Sequence, residues 1–265
     1  MSKFIDRLNR LSRPEPQPIG FRATQIVGAR LRVQLAASIA QENAKYMADH
    51  VAGADAGIVR ITEFSSGAEA LRAASRAVTD IPWGGWLAGG TTAVIERITD
   101  AGCDFVIFPA ATTPLAALQS GEVGKILEID ASLSEGLLRA TNDLPVDAVL
   151  LGGEQLLASA LTWQFLVLVR RLADLLNKPL LVPVPSEITS AELQALWEAG
   201  VKGIVALVGL VQPKDRIKEL RQTIDRLTFP SPRKGEKPEP RLYRIGQETG
   251  REPAEEEEEE EEEEE

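Results

Sequence analysis

Ala52-Gly53-Ala54-Asp55, running straight into the apolar stretch 56–61, decides how this chain is read, because the phrase returns. Ala101-Gly102-Cys103-Asp104 leads into 105–109, and Ala199-Gly200-Val201-Lys202 leads into 203–209. A copy without the glycine, Leu144-Pro145-Val146-Asp147, opens 148–153. The glycine has a physical purpose. A helix ends most easily on a left-handed residue, which only glycine adopts without a Cβ clash, and the chain can then turn directly into a strand. Four more apolar runs lie between these copies, with helical patterns after them. Strands are predicted at 31–38, 56–62, 83–89, 104–109, 125–130, 147–152, 179–184 and 203–208. Short, mostly apolar strands alternating with helices describe a parallel sheet covered on both faces. Eight such units in about 200 residues predict a single closed (β/α)8 barrel, a TIM barrel.

The segments outside 30–228 read differently. Phe4, Ile5, Leu8 and Leu11 recur at helical spacing, and Pro14, Pro16 and Pro18 follow. Residues 1–29 are expected to form a short helix and a Pro-rich arm able to close the bottom of the barrel. Residues 229–265 lose all apolar periodicity, carry prolines with Lys and Arg, and end in eleven consecutive Glu at 255–265. A disordered tail is expected there, either simply solvated or docking a basic partner.

Composition narrows the function. The formal net charge is -11. Without the Glu run, 29 acidic residues face 29 basic ones, so nothing favours nucleic acid. The charged N-terminal stretch has no signal-peptide character, which gives an expected cytoplasmic location. The lone Cys103 at the start of an apolar run is expected to be a buried, inert thiol, and the lone His50 no zinc ligand. Residues 156–176 are apolar nearly all round but too short to argue for a membrane span. They predict either a buried helix or a homodimer contact.

A barrel of this kind carries its site at the C-terminal ends of the strands. Alternation along a strand then sorts the side chains. Val33 and Leu35, Val59 and Ile61, and Leu127 and Ile129 are assigned to the helices. Gln34, Ala36 and Ser38, Arg60 and Thr62, and Glu128 and Asp130 are therefore assigned to the interior. Leu87, Val106, Phe108, Val149, Leu151, Val182, Val184, Ile204 and Val208 are expected to fill the rest of it. Asp130, with Glu128 beside it, is the candidate general acid, base or divalent-metal ligand, and Arg60 the candidate clamp for an anion. Arg60 and Glu128 read equally well as a structural ion pair in the core. Gln34, Ser38, Thr62, Glu63, Gly90, Thr91, Gly153, Glu154, Ser186 and Gly209 complete the candidate substrate-binding set. The glycine turns 89–92 and 152–154 offer backbone N–H groups to an anion.

Residues 52–59, 101–108 and 199–205 resemble the corresponding stretches of the aldolase-type and ribulose-phosphate-binding barrels. The resemblance spans about 30–228 and concerns the fold. It implies aldolase, epimerase, phosphate-handling or flavin-dependent chemistry, with a phosphate site in glycine-rich turns after strands seven and eight. Here those turns read Pro183-Val184-Pro185-Ser186 and 208–213, where Gly209 alone fits, which argues against phosphate or flavin there. Lys125, Lys178 and Lys202 lie at strand starts, which argues against a Schiff-base lysine. Two function classes follow. One is a lyase or isomerase acting on a small anionic metabolite. The other is a non-catalytic barrel serving as a binding or assembly module, with the acidic tail docking a partner.

Overall fold

Eight parallel strands close on themselves in chain order in the computed structural model, which describes residues 2–12, 33–90, 92–118, 123–152, 161–209 and 213–227. They are β1 (Gln34–Ala40), β2 (Ala56–Ile61), β3 (Trp83–Leu87), β4 (Phe105–Pro109), β5 (Gly124–Ile129), β6 (Ala148–Leu151), β7 (Leu180–Val184) and β8 (Gly203–Val208). β1 pairs with β8 as well as β2, so the sheet has no edge. All eight predicted strands are present. The helices are α1 (Lys3–Ser12), α2 (Ala44–Met47), α3 (Phe64–Ala77), α4 (Thr92–Asp100), α5 (Glu135–Thr141), α6 (Trp163–Leu175), α7 (Ser190–Glu198) and α8 (Arg216–Arg226). Between β4 and β5 the described residues form only a 3-10 turn, Leu115–Leu118, where a full helix was expected. The Pro-rich arm, the tail 229–265, and 156–160 of the apolar helix lie outside the described residues.

The repeated phrase does what its chemistry requires. Gly53, Gly102 and Gly200 all sit at positive φ, at 95°, 89° and 105°. The aspartates that follow stitch neighbouring strands together. Asp55 takes the Leu35 backbone N–H on its carboxylate at 2.8 Å and donates its own N–H to Leu35 O at 2.7 Å. Asp147 repeats this two-way contact with Lys125, at 2.8 Å each way. Asp104 instead turns its carboxylate onto α1. It accepts from Ser2 Oγ at 2.7 Å, Lys3 N at 2.8 Å and Phe4 N at 3.0 Å, capping that helix from 100 residues away.

α1 fills the bottom of the barrel. Phe4, Ile5 and Leu8 are buried with Ala36, Ala56, Ile58, Phe105, Ile107, Ile126, Ala148, Leu150, Leu181 and Val205. The interior admits a helix because its lower positions are small. A Cβ on Gly84 would strike the Phe105 ring, on Gly124 it would strike Ile5, and on Gly203 it would crowd Leu8. Phe4 packs on Phe105 with ring centroids 4.7 Å apart.

This arrangement corrects the predicted interior. Leu87, Val106, Phe108, Val149, Leu151, Val182, Val184, Ile204 and Val208 belong to the layer between barrel and helices, with Leu71, Ile98 and Leu172. In β3, β4 and β6 to β8 both faces are apolar, so alternation carries no sign. In β1, β2 and β5, where a polar face exists, the assignment of Gln34, Ser38, Arg60 and Glu128 to the interior matches the strand register and the outward core.

Candidate functional site

Four strand ends line the open mouth. Arg60 of β2 is in register with Trp86 of β3, and Pro109 of β4 with Glu128 of β5. Together with Ile61, Thr62, Leu87 and Ala88 they line a cleft of about 240 Å³. Trp86 Nε1 donates to Glu128 Oε2 at 2.8 Å, reaching across β4. The carboxylate rests against Gly152, where a Cβ would lie 2.7 Å from both Glu128 Cγ and Oε1. Gly152 is held in place by its N–H, which donates to Ile129 O at 2.8 Å. Glu128 thus has one oxygen bonded to the indole and a backbone wall behind it. Arg60 and Glu128 are half-buried, and neither lacks a partner. A carboxylate and a guanidinium sharing a small, partly desolvated cleft interact far more strongly with a charged ligand than they would in water.

The remaining predicted residues divide. Thr62 lines the cleft and Glu63 follows it, both exposed. Their backbone N–H groups donate to Gln41 Oε1 at 3.1 and 3.2 Å, so the buried Gln41 fixes the loop beside the site. Asp130 is exposed and outside the cleft lining. Its Oδ1 accepts from Ser132 N at 2.7 Å, and the Ser132 hydroxyl and N–H hold its carboxyl below the usual carboxylate range. It caps a turn, and the strand ends before it can point inward. Ser38 and Gln34 are buried inside the barrel, at 1% and 2% exposure, with Ser38 Oγ and Gln34 Oε1 unbonded. Gln34 pairs with Gly203 at the bottom, far from the mouth. Gly90 follows β3 at φ 155°. Thr91, Gly153 and Glu154 lie outside the described residues.

At the corner after β7 and β8, the loop after β7 is tied to the start of α8. Arg216, opening α8, donates from Nε to Ser186 O at 2.9 Å and pairs with Glu219 at 3.1 Å. Gly209 is exposed there. Lys178 donates to Leu144 O and Val146 O at 3.0 and 2.7 Å, and Lys125 lines an outer groove. Among the described residues no group of three or more His, Cys, Asp or Glu is placed to hold a metal ion, and no helix is long and apolar enough to cross a membrane. Trp86, Pro109 and Gln41 are absent from the sequence-derived set, and Gly152 enters it only as part of the turn 152–154. The Trp83-Gly84-Gly85-Trp86 run carries no parity of its own, with glycine on both faces; the placement of Gly84 beside Phe105 puts Trp86 inside.

The chain matches no protein-family model and no curated protein. Solved structures do match. KGPDC from Streptococcus mutans, solved as a complex, aligns at TM-score 0.59 and 12% identity, over 74% of this chain and 99% of that one. Orotidine 5'-phosphate decarboxylase from Pyrococcus horikoshii aligns at 0.55 and 14%, over 71% and 98%. Thiamine phosphate pyrophosphorylase from Pyrococcus furiosus aligns at 0.53 and 15%, over 75% and 98%. At these identities the likeness is one of fold. It bears out the fold-level resemblance read from the Ala-Gly phrases.

Proposed function

We propose that the chain is an enzyme, a lyase or isomerase, acting on a small anionic metabolite at the mouth between β2 and β5. The observation that carries this reading is the convergence of Arg60, Trp86 and Glu128 on one cleft at the strands' C-terminal ends, with the indole bonded to the carboxylate at 2.8 Å. Arg60 would hold the anion through its planar fork. Glu128 would move a proton to or from the substrate, its carboxylate oriented by the indole contact. Trp86 and Pro109 would form a flat apolar wall. The orotidine 5'-phosphate and thiamine phosphate enzymes named above make small phosphorylated compounds the first ligands to try, alongside plain hydroxy- and oxo-acids.

The test is a thermal-shift screen of such compounds on wild type, Arg60→Met and Glu128→Gln. A hit that stabilises wild type, is lost in Arg60→Met, binds to Glu128→Gln and is turned over only by wild type supports the proposal. If no anion shifts the melting temperature and both variants lose stability alone, the two charges are a structural pair and the proposal fails.

A second reading has its own observation. Trp163 and Val167, one turn apart on α6, are 83% and 68% exposed. A stripe of that kind on a helix suits the same stripe on a second copy. Sedimentation of wild type against Trp163→Ser/Val167→Glu tests it. A monomeric wild type would end the assembly reading.

A further inference from the structure

The flank of the barrel carries a second cavity, unrelated to the mouth. Parallel strands are ordinarily covered by helices, yet the described chain between β4 and β5 supplies only the turn Leu115–Leu118. The outward side chains Phe108 and Leu127, paired in register, therefore floor a groove of about 450 Å³. Leu118 and Val146 stand at its sides, and its lips, Leu115 and Leu144, are 79% and 46% exposed. Two polar groups interrupt the apolar lining. Lys125 lines the groove near the start of β5, with its backbone N–H fixed to Asp147 Oδ2 at 2.8 Å. Its ammonium makes no hydrogen bond or ion pair among the described residues. Thr113 lines it at the other end, with Oγ1 buried and unbonded. From the level of Lys125 to that of Ala110 is four strand residues, about 13 Å at roughly 3.3 Å per residue.

We propose that this groove binds a free medium-chain aliphatic carboxylate, its head on Lys125 and its chain along Phe108 and Leu127 toward Thr113. The volume and the mostly apolar wall with few polar points are those of a small-molecule site. At about 30 Å³ for each water-sized group, 450 Å³ holds at most some fifteen such groups. That fits an acyl chain and is too little for a helix. A cation with no counter-ion among the described residues, beside an apolar floor, asks for an anion with an apolar body, not for an alcohol or an amine.

Calorimetric titration of the full chain with octanoate, decanoate, decanol and decylamine, below micelle formation, tests the proposal. Expected are saturable binding of one decanoate per chain and affinity rising roughly fourfold per added methylene. Decanoate should bind at least tenfold more tightly than decanol. Lys125→Met should erase the preference for the acid while leaving decanol binding intact. Lys125→Glu should prefer decylamine. Arg60→Met should bind decanoate as wild type does, which separates this groove from the mouth. The proposal is overturned by non-saturable uptake, by equal decanoate affinity in Lys125→Met, by loss of binding in Arg60→Met, or by decanoate changing the molecular mass in solution.

Discussion

Replacing Asp104 with Ala should release α1 from the barrel bottom. The carboxylate accepts three hydrogen bonds at the helix start: Ser2 Oγ at 2.7 Å, Lys3 N at 2.8 Å and Phe4 N at 3.0 Å. Loss of a side-chain cap costs about 1 kcal/mol. Hydrogen bonds to a charged acceptor contribute about 1.5–3 kcal/mol each, but Lys3 N is exposed and regains water. A net loss of about 2–3 kcal/mol follows. Phe4→Ala removes a fully buried ring and should cost about 3–5 kcal/mol. Both act through the same docked helix, so the double variant should cost less than the sum, with a coupling of about 1 kcal/mol or more. Urea unfolding gives the three free energies. Native-state hydrogen exchange localises them: residues of Lys3–Ser12 should exchange faster in Asp104→Ala, while the amides of β1 to β8 keep their protection. Asp104→Asn, which keeps one oxygen acceptor, should lie between. A loss below about 0.5 kcal/mol, the scale of ordinary surface changes, would refute the capping argument. So would strict additivity with Phe4→Ala.

The remaining predictions are shorter. Gly102→Ala should cost about 1–2 kcal/mol for its left-handed backbone alone, since nothing lies within 4 Å of the added Cβ. Gly200→Ala adds a 2.8 Å contact with Ala173 Cβ, so it should cost more, and Ala173→Gly should recover part of the difference. Arg221→Met strips its partner from Asp55, in a pair whose side chains are only 12% and 11% exposed; a loss of about 3–5 kcal/mol in denaturant unfolding is expected. Burial pushes the Cys103 thiol up to about 12, so it stays protonated in the folded state while the unfolded thiol ionises near 9; stability should fall as pH rises between those values, by less in Cys103→Ala. In the native state at about pH 8, below the ordinary thiol range, a disulfide reagent should label Cys103 only at the rate of unfolding. Gly152→Ala should displace Glu128 and abolish any activity at the mouth while leaving Arg60 in place, an outcome that circular dichroism and turnover together would read.

Much of the barrel was legible because its punctuation is chemical. A left-handed glycine ends the helix, an aspartate ties the next strand to its neighbour, and an apolar run follows; Gly53 and Asp55 show the whole device. What could not be read was sidedness. Where a strand's two faces differ in polarity, as with Arg60 against Val59 or Glu128 against Leu127, alternation assigns them. Where both faces are apolar, as in β4, Phe105 and Phe108 look alike, yet the first fills the barrel and the second faces the flank groove.

At the bottom of the barrel several inward positions are small. Gly84, Gly124, Gly203, Ala36, Ala56 and Ala148 are all interior, and their smallness is what admits Phe4, Ile5 and Leu8 from below. With the interior plugged by α1 at one end, the cleft lined by Arg60, Trp86, Pro109 and Glu128 lies at the other. The strand's end also explains why Asp130 lies outside the cleft lining. With the strand ended at Ile129, the residue beyond it is no longer directed by the pleat, and its carboxylate finds the nearest N–H, at Ser132. A carboxylate at the last inward position of a strand is held by the barrel; one residue pair further on it belongs to the loop.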